Sequence, residues 1–267
     1  MALHRIASIR VRRKARPPIL LAWLLSLSAV LQSGHAFAFA PFETDDIFST
    51  SDVGETLLRN IVTYSQDAET RSLTLPRFDV AHRFGKDIEL GFSLPFELVR
   101  QTGGGTHYAF SSSSIAVAYR IHKGSDESWV PSIGIAPQLG FPSAAPQHDI
   151  GTGQAHAYLP LIVEKEFGKW SIFSNAAYGI NPGAGNRNYW FIGTAATREI
   201  TDDITVGGEI YHRSSTSTGK PDTTGFNIGM KYDTAKNQAL YVSVGRALQN
   251  PTRTNQVSAY FAYQFSF

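Results

Sequence analysis

The chain has 267 residues, with 24 Lys and Arg against 22 Asp and Glu, and it contains no cysteine. That length allows one β-barrel or one to two ordinary domains. The lack of cysteine excludes thiol catalysis, disulfides and Cys-ligated zinc. After the first 40 residues the charge balance becomes acidic, at 18 basic against 22 acidic side chains, and no Lys/Arg-rich patch remains. This composition argues against nucleic acid as a partner.

Residues 1–40 differ from the rest of the chain. They begin with six basic and no acidic residues, continue with the short apolar run Ile19–Leu31, and end in two overlapping A-x-A sites. This pattern predicts a secretory signal peptide that is cleaved after Ala38 or Ala40. The alternative is an uncleaved anchor, but the apolar run is shorter than the ~20 residues that a membrane helix needs.

Residues 41–54 are polar and irregular, and we predict a periplasmic N-terminal segment here. Its box Glu43-Thr44-Asp45-Asp46 has two functional interpretations: the carboxylates bind Ca²⁺ through oxygen, or the box lies in the mouth of a barrel. The structural interpretation, which we favour, is a solvated leader or a helix N-cap at Thr44 or Asp45.

From residue 55 to the end the chain alternates apolar and polar residues, which predicts strands with two unlike faces. In the clearest case, Ile88, Leu90 and Phe92 alternate with Glu89, Gly91 and Ser93. The segment Asn188–Ile200 is ambiguous, because aromatic residues occur at both parities. Twelve strands are predicted: Glu55–Ser65, Ser72–Phe84, Asp87–Val99, Ser112–His122, Trp129–Gly140, Thr152–Lys165, Trp170–Ile180, Asn188–Ile200, Asp203–Arg213, Thr223–Asp233, Gln238–Leu248 and Asn255–Phe267.

The connections between these strands alternate between short turns and longer Gly/Ser/Pro-rich loops, as in bacterial outer-membrane barrels. No apolar run after residue 40 approaches the length of a membrane helix, so the chain can enter a membrane only as a barrel. The predicted fold is all-β: a transmembrane antiparallel up-and-down β-barrel of about 12 strands over residues 55–267. Both termini are expected on the periplasmic side, and outer-membrane lipid is the expected surrounding.

The last strand has an aromatic face that includes Phe261, Tyr263, Phe265 and Phe267. It resembles the C-terminal strand of bacterial outer-membrane β-barrels, whose final Phe is the assembly signal. The resemblance assigns that role to Phe267 and implies the barrel-assembly machinery as a partner.

The face opposite the apolar one carries charges of both signs and is predicted to line the lumen. A barrel of eight strands is filled by side chains and one of sixteen holds a water channel, so twelve lies between. A mixed-charge lumen of this width suits small-molecule solutes, and no motif requires a cofactor; the alternative is a closed structural barrel plugged by salt bridges. The predicted lumen residues are Arg77, Asp79, Arg83, Glu89, Glu97, Arg120, Glu164, Glu209, Arg213 and Lys231.

His212-Arg213-Ser214 resembles the His-x-Ser pair of outer-membrane lipid hydrolases, the phospholipase A and lipid A deacylase barrels. Residues two apart on a strand share a face, where an imidazole can deprotonate a hydroxyl. Those enzymes continue with Asn, whereas Ser215 follows here. The nearest orienting amide, Asn227, alternates to the inner face. A lipid-acyl hydrolase that uses His212 and Ser214 is therefore only the alternative function. The main prediction is a protein that is not an enzyme and has no catalytic residues.

The signal peptide, the box Pro41-Phe42-Glu43-Thr44-Asp45-Asp46 and a barrel of this length together resemble the family of putative MetA-pathway-of-phenol-degradation proteins. These are porin-like or transporter-like outer-membrane barrels. The resemblance implies a channel in the bacterial outer membrane for passive uptake of small molecules, with aromatic or hydrophobic compounds among the candidate solutes. It supplies no catalytic residues.

Overall fold

The computed structural model describes residues 41–49, 52–125, 128–143, 145–148 and 150–267. The predicted signal peptide, residues 1–40, lies outside the described residues. Among the described residues no helix is long and apolar enough to cross a membrane.

Twelve strands occur in the described part of the chain, two of them in two pieces. Two short 3₁₀ turns, Pro146–His148 and Pro251–Arg253, lie between strands. The strands are β1 (Thr56–Gln66), β2 (Thr70–Arg83), β3 (Ile88–Gln101), β4 (Thr106–Phe110 and Ser114–His122), β5 (Ser132–Ile135 and Gln138–Gly140), β6 (His156–Phe167), β7 (Trp170–Ile180), β8 (Tyr189–Glu199), β9 (Ile204–Arg213), β10 (Thr223–Ala235), β11 (Gln238–Ala247) and β12 (Val257–Ser266).

Each strand pairs antiparallel with the next, and β1 pairs with β12 to close the ring. The closing ladder runs from Leu57 opposite Ser266 to Gln66 opposite Val257. Closure pairs both edges of the strands apart from Thr106–Phe110, which among the described strands pairs only with β3. A closed sheet offers little free edge, so its apolar exterior is protected from edge-to-edge aggregation. The predicted up-and-down barrel of twelve strands is confirmed.

The apolar face of each strand points outward. Phe92 is 44% exposed while Glu89 on the same strand is 4% exposed. In β8, whose two faces the sequence leaves ambiguous, Trp190 is 60% exposed and points out, whereas Phe191 is 2% exposed and points in. An exterior of this kind is stable in contact with lipid, as in transmembrane barrels.

The two ends of the barrel differ in their connections. Residues 84–87, 123–131, 168–169, 200–203 and 236–237 join strands at one end, which we call the turn end. Residues 67–69, 102–105, 141–155, 181–188, 214–222 and 248–256 join them at the other, the loop end. Most of the loop-end connections are the longer ones, as predicted.

Three local predictions are wrong. The predicted strands leave a long loop over residues 100–111, but the observed connection is the tight one of residues 102–105, because β3 and β4 continue pairing as far as Arg100 opposite Thr106. The connection 123–131 is longer than a turn, and β5 begins at Ser132 and not at Trp129, which is 96% exposed. A break at Ala136-Pro137 divides β5, since proline has no N–H to donate to a ladder.

Candidate functional site

The N-terminal residues Pro41–Ser49, the inner segment below, lie inside the barrel. Ser243 Oγ on β11 donates a hydrogen bond to the Pro41 carbonyl at 2.7 Å, and Ile47 is 3% exposed. The segment therefore does not stand apart from the barrel as a solvated leader, and its location on the periplasmic side stays a prediction. The physical reason for its place inside the barrel is that the segment carries three large apolar side chains, Phe42, Ile47 and Phe48, which the inner wall covers.

Three glutamates of the described wall bind the backbone of the inner segment. Glu209 on β9 accepts from the N–H groups of Glu43 and Thr44 at 2.7 and 2.9 Å. Glu164 on β6 accepts from Ile47 N–H at 3.4 Å, and Glu89 on β3 accepts from Ser49 N–H at 3.0 Å. These charge-assisted bonds satisfy backbone donors that no strand ladder reaches.

Of the three glutamates, Glu209 accepts the most hydrogen bonds. Its two carboxylate oxygens each accept one N–H of the inner segment, and Asn227 Nδ2 donates to Oε1 at 2.6 Å. Both wall side chains are buried, at 5% and 7% exposed. The amide of Asn227 therefore fixes the carboxylate that holds Glu43 and Thr44.

Glycines make room for the inner segment along the wall. A Cβ at Gly193 would lie 2.2 Å from Thr44 Oγ1, and one at Gly134 would lie 2.8 Å from Ile47 Cγ2. Any side chain at these two positions would collide with the segment, since real Cβ atoms do not approach other heavy atoms so closely. The wall is thus shaped to receive this segment.

Apolar and cation–π contacts complete the seat. Ile47 and Phe48 form one buried cluster with Ala118 and Ile162 of the wall. The Phe48 ring also lies beneath the guanidinium of Arg83, at 4.1 Å, and that of Arg120, at 5.2 Å. Such contacts contribute about 0.5–2 kcal/mol each, depending on how far they are desolvated.

The predicted lumen residues lie on the inner face, in separate groups along it. Arg77 pairs with Asp79 at 3.2 Å on β2, and Lys231 pairs with Asp233 at 3.0 Å near the turn end. Arg213 lies 3.6 Å from Glu43 of the inner segment. Arg120 pairs with Asp87, Glu97 bonds Ser111, and Arg83, Glu89, Glu164 and Glu209 contact the inner segment as described above.

Arg59 lies on the inner face and carries a charge, but it was not among the predicted lumen residues. It donates two hydrogen bonds to Gln264 Oε1, at 3.2 and 2.7 Å, and lies 5.2 Å from the centroid of the Tyr241 ring. The alternation of β1 is weak, but placing Leu58 and Val62 outside already directs Arg59 inward. That parity is the signal that could have identified it.

A cavity of about 650 Å³ remains in the lumen beside the inner segment. Tyr158, Tyr189 and Phe191 form an aromatic part of its lining, with Tyr158 ring centroids 6.4 Å from those of both neighbours. Arg77 and Asp79 contribute a charged part of the lining. The cavity thus presents both apolar rings and ions to its contents.

The inner segment brings acidic groups into this cavity. The Asp45 carboxyl faces the cavity but is enclosed by the barrel, and that enclosure, with Glu43 and Glu209 nearby, raises its pKa to about 7. Enclosure likewise raises the pKa of Asp46 well above its usual range. The Asn175 amide, oriented to suit its neighbours, donates to the Asp45 carbonyl at 2.7 Å and accepts from its N–H at 3.0 Å.

Among the described residues the two alternative sites, the calcium site and the hydrolase pair, are not assembled. Among the described residues no three His, Asp or Glu side chains converge as metal ligands, so the calcium interpretation of Glu43–Asp46 gains no support. His212 Nδ1 bonds Thr224 at 2.9 Å, while Ser214 Oγ accepts from Trp190 N–H at 2.9 Å. Asn227 points inward to Glu209, as predicted.

No family model and no curated protein matches the chain. Solved structures do match. The COG4313 outer membrane channel from Pseudomonas putida F1 is 14% identical over 82% of this chain and 97% of its own, with a TM-score of 0.66. The KdgM porin in complex with disordered oligogalacturonate is 14% identical over 80% and 99%, with a TM-score of 0.52. The β domain of the Bordetella autotransporter BrkA is 15% identical over 81% and 100%, also at 0.52. The chain therefore has the fold of bacterial outer-membrane β-barrels, and its apolar exterior suits that membrane.

Proposed function

We propose that the protein is a passive outer-membrane channel for small molecules and that the inner segment is a constriction built into its lumen. The observation that carries this proposal is the way in which the segment is held. Glu209, Glu164 and Glu89 bind its backbone from three separate strands. A cavity of about 650 Å³ beside the bound segment supports a lumen that is narrowed and not filled.

The inner segment can leave its seat without breaking the wall. Its described hydrogen bonds go to side chains of the barrel, such as Ser243 and Asn175, and the strand ladders close without it. Displacement would therefore widen the lumen and leave the fold intact. Between the segment and β1 the chain turns at Gly54, whose φ of 87° suits glycine and whose N–H donates to the Arg83 carbonyl at 2.8 Å, so β1 stays anchored when the segment moves.

The cavity lining indicates which solutes would pass. Tyr158, Tyr189 and Phe191 offer flat apolar faces, while Arg77 and Asp79 lie on the charged part of the lining. Small amphipathic molecules, aromatic compounds among them, fit that combination. The ten predicted lumen residues and Arg59 would set ion preference, because a lumenal charge acts on permeant ions at short range. The resemblance of Pro41–Asp46 to the MetA-pathway family stays a prediction.

The proposal is tested by single-channel recording in planar bilayers. We expect small conductance from the refolded protein and at least severalfold higher conductance from a variant lacking residues 41–49. Heat-dependent gel mobility, which reports a folded barrel, serves as the control for both proteins. Absence of conductance in both would favour the closed structural barrel, and release of fatty acid from phospholipid that Ser214→Ala abolishes would favour the hydrolase.

We also propose that the loop end faces the cell exterior and that both termini lie in the periplasm. The longer connections at the loop end support this orientation, because extracellular loops of such barrels exceed periplasmic turns in length. Since the chain has no cysteine, single introduced cysteines report exposure cleanly. A cysteine at Gly104 should react with an impermeant thiol reagent on intact cells, whereas one at Gly168 should react only after the outer membrane is opened. The reverse labelling pattern would mean that the loop end faces the periplasm.

A further inference from the structure

Two arginines lie side by side on the outer face at the loop end. Arg71 of β2 and Arg100 of β3 are directly opposite each other in the antiparallel ladder, and both side chains are exposed. Residues opposite in such a ladder have Cα atoms about 4.5–5.5 Å apart. Two guanidinium groups are therefore held within reach of one common ligand.

The strand parity places this pair on the lipid-facing side. Val99, next to Arg100, is 0% exposed and points into the barrel. Leu73 and Leu98, the next pair on the same face as the arginines, are also opposite each other, and Leu98 is 37% exposed. The guanidinium groups thus lie at the end of an apolar surface that continues towards the turn end.

Like charges directly opposite in a sheet destabilise it unless another group compensates them. Within the described residues neither Arg71 nor Arg100 forms an ion pair or a side-chain hydrogen bond. At the other end of the barrel Arg198 lies 5.3 Å from the centroid of the Trp170 ring and so has a partner in its own chain. The Arg71–Arg100 pair therefore calls for an anion from outside the described chain.

The height of the pair indicates which anion is available. Tyr108 and Phe110 on the adjacent β4 are 71% and 56% exposed, which is typical of the aromatic girdle at a membrane interface. Arg100 lies opposite Thr106, just beyond these rings towards the loop end. Arginine side chains at this level extend their apolar stems along the wall and present the charge to lipid headgroups.

We propose that Arg71 and Arg100 bind a phosphate group of lipopolysaccharide in the outer leaflet. Guanidinium groups match phosphate oxygens in bidentate geometry, and two of them balance the charge of −1.5 to −2 that a phosphate monoester carries near pH 7. The proposal rests on the orientation given above, with the loop end outside. It does not depend on whether the lumen conducts.

The experiment is a binding titration by native mass spectrometry on the refolded full-length mature barrel in detergent. The probes are bisphosphorylated lipid A, the same lipid without phosphates, phosphatidylglycerol and inorganic phosphate. We expect the wild type to bind bisphosphorylated lipid A at least tenfold more tightly than the other three probes. The double variant Arg71→Gln/Arg100→Gln should lose that preference, and Arg71→Lys/Arg100→Lys should keep part of it.

Arg198→Gln is the matched control, because it removes an exposed arginine at the opposite end of the barrel. It should leave lipid A binding within twofold of the wild type, and heat-dependent gel mobility should show that every variant is folded. Undiminished binding by the double glutamine variant would overturn the proposal, and so would equal binding of the dephosphorylated lipid. A preference for phosphatidylglycerol would overturn lipopolysaccharide as the source. If the wild type bound lipid A but formed no channels in planar bilayers, the result would contradict the proposed channel function and leave the lipid-binding proposal standing.

Discussion

The two faces of the barrel wall obey different rules, and β3 shows both within a few residues. On the outer face Phe92 is 44% exposed and needs lipid as its surroundings. On the inner face Glu89 is 4% exposed and accepts a hydrogen bond from the backbone of Ser49. An outer position is therefore constrained by the class of its side chain, while an inner position is constrained by an individual partner.

This difference decides how substitutions should be judged. Outside, any apolar residue of suitable size satisfies the lipid, and a charge is costly wherever it is placed at mid-membrane depth. Inside, a change of a few atoms matters where it meets the inner segment and is tolerated where it meets the cavity. Substitutions at neighbouring positions of the two kinds therefore test this difference.

The largest effect is expected on the outer face. Phe92→Arg should destabilise the folded barrel by about 2–4 kcal/mol, because a charge near the bilayer midplane loses its hydration. Ser93→Arg should be far better tolerated, since Ser93 lines the cavity and bonds Asp79. Reversible urea unfolding in lipid vesicles measures both. If the Ser93→Arg variant were less stable than the Phe92→Arg variant, the inner and outer faces would be assigned the wrong way round.

The next effect concerns the hydrogen bonds that hold the inner segment. Glu209→Gln replaces one acceptor of the Glu43 and Thr44 N–H groups by a donor, which costs about 1.5–3 kcal/mol for a bond to a charged group. The segment should leave its seat more often, and channel conductance should rise. Glu97→Gln removes the same charge from the inner face at Ser111 and not at the segment. If both variants raise conductance equally, lumenal charge and not the segment sets it.

A smaller effect is expected from steric clash. Gly193→Ala would place a Cβ 2.2 Å from Thr44 Oγ1, and overpacking of this kind costs about 1–3 kcal/mol, of which small shifts relieve part. Gly91→Ala is the matched control, because its Cβ would meet nothing closer than 3.8 Å. In a Ser49→Cys background, Gly193→Ala should speed thiol labelling and Gly91→Ala should not. Adding Thr44→Ala should restore slow labelling, and failure to do so would place the clash elsewhere.

The smallest effect is expected for polar residues on the outer face. His212→Ala and Ser214→Ala remove side chains that bond Thr224 and the Trp190 backbone, near the loop end and on the face of the wall opposite the inner segment. Solute flux through liposomes should stay unchanged, and stability should change by about 0.5 kcal/mol or less, as for most surface substitutions. The purified protein should release no fatty acid from phospholipid or lipopolysaccharide. Hydrolysis that disappears with Ser214→Ala would contradict this expectation.

The sequence by itself determined the wall of the barrel. Alternation at period two identified the outward residues of β3 and of the last strand and predicted twelve strands. The lengths of the segments between those strands predicted that most of the longer connections lie at one end. Lipid acts on each side chain separately, so this constraint is written locally in the chain. Where the local pattern was weak, as in β1, an inner residue such as Arg59 was missed.

The tertiary structure alone decided what the inner face does. Glu209 and Glu43 lie 166 positions apart, and Glu89 and Ser49 lie 40 apart, yet each pair is joined by a hydrogen bond. No local pattern encodes such a contact, because it depends on the closed ring bringing distant strands around one segment. A glutamate that faces water and one that binds a backbone N–H look the same in the sequence. Likewise, the sequence around Gly193 indicates only a glycine within a strand, and the tertiary structure shows that Thr44 occupies the space a side chain would need.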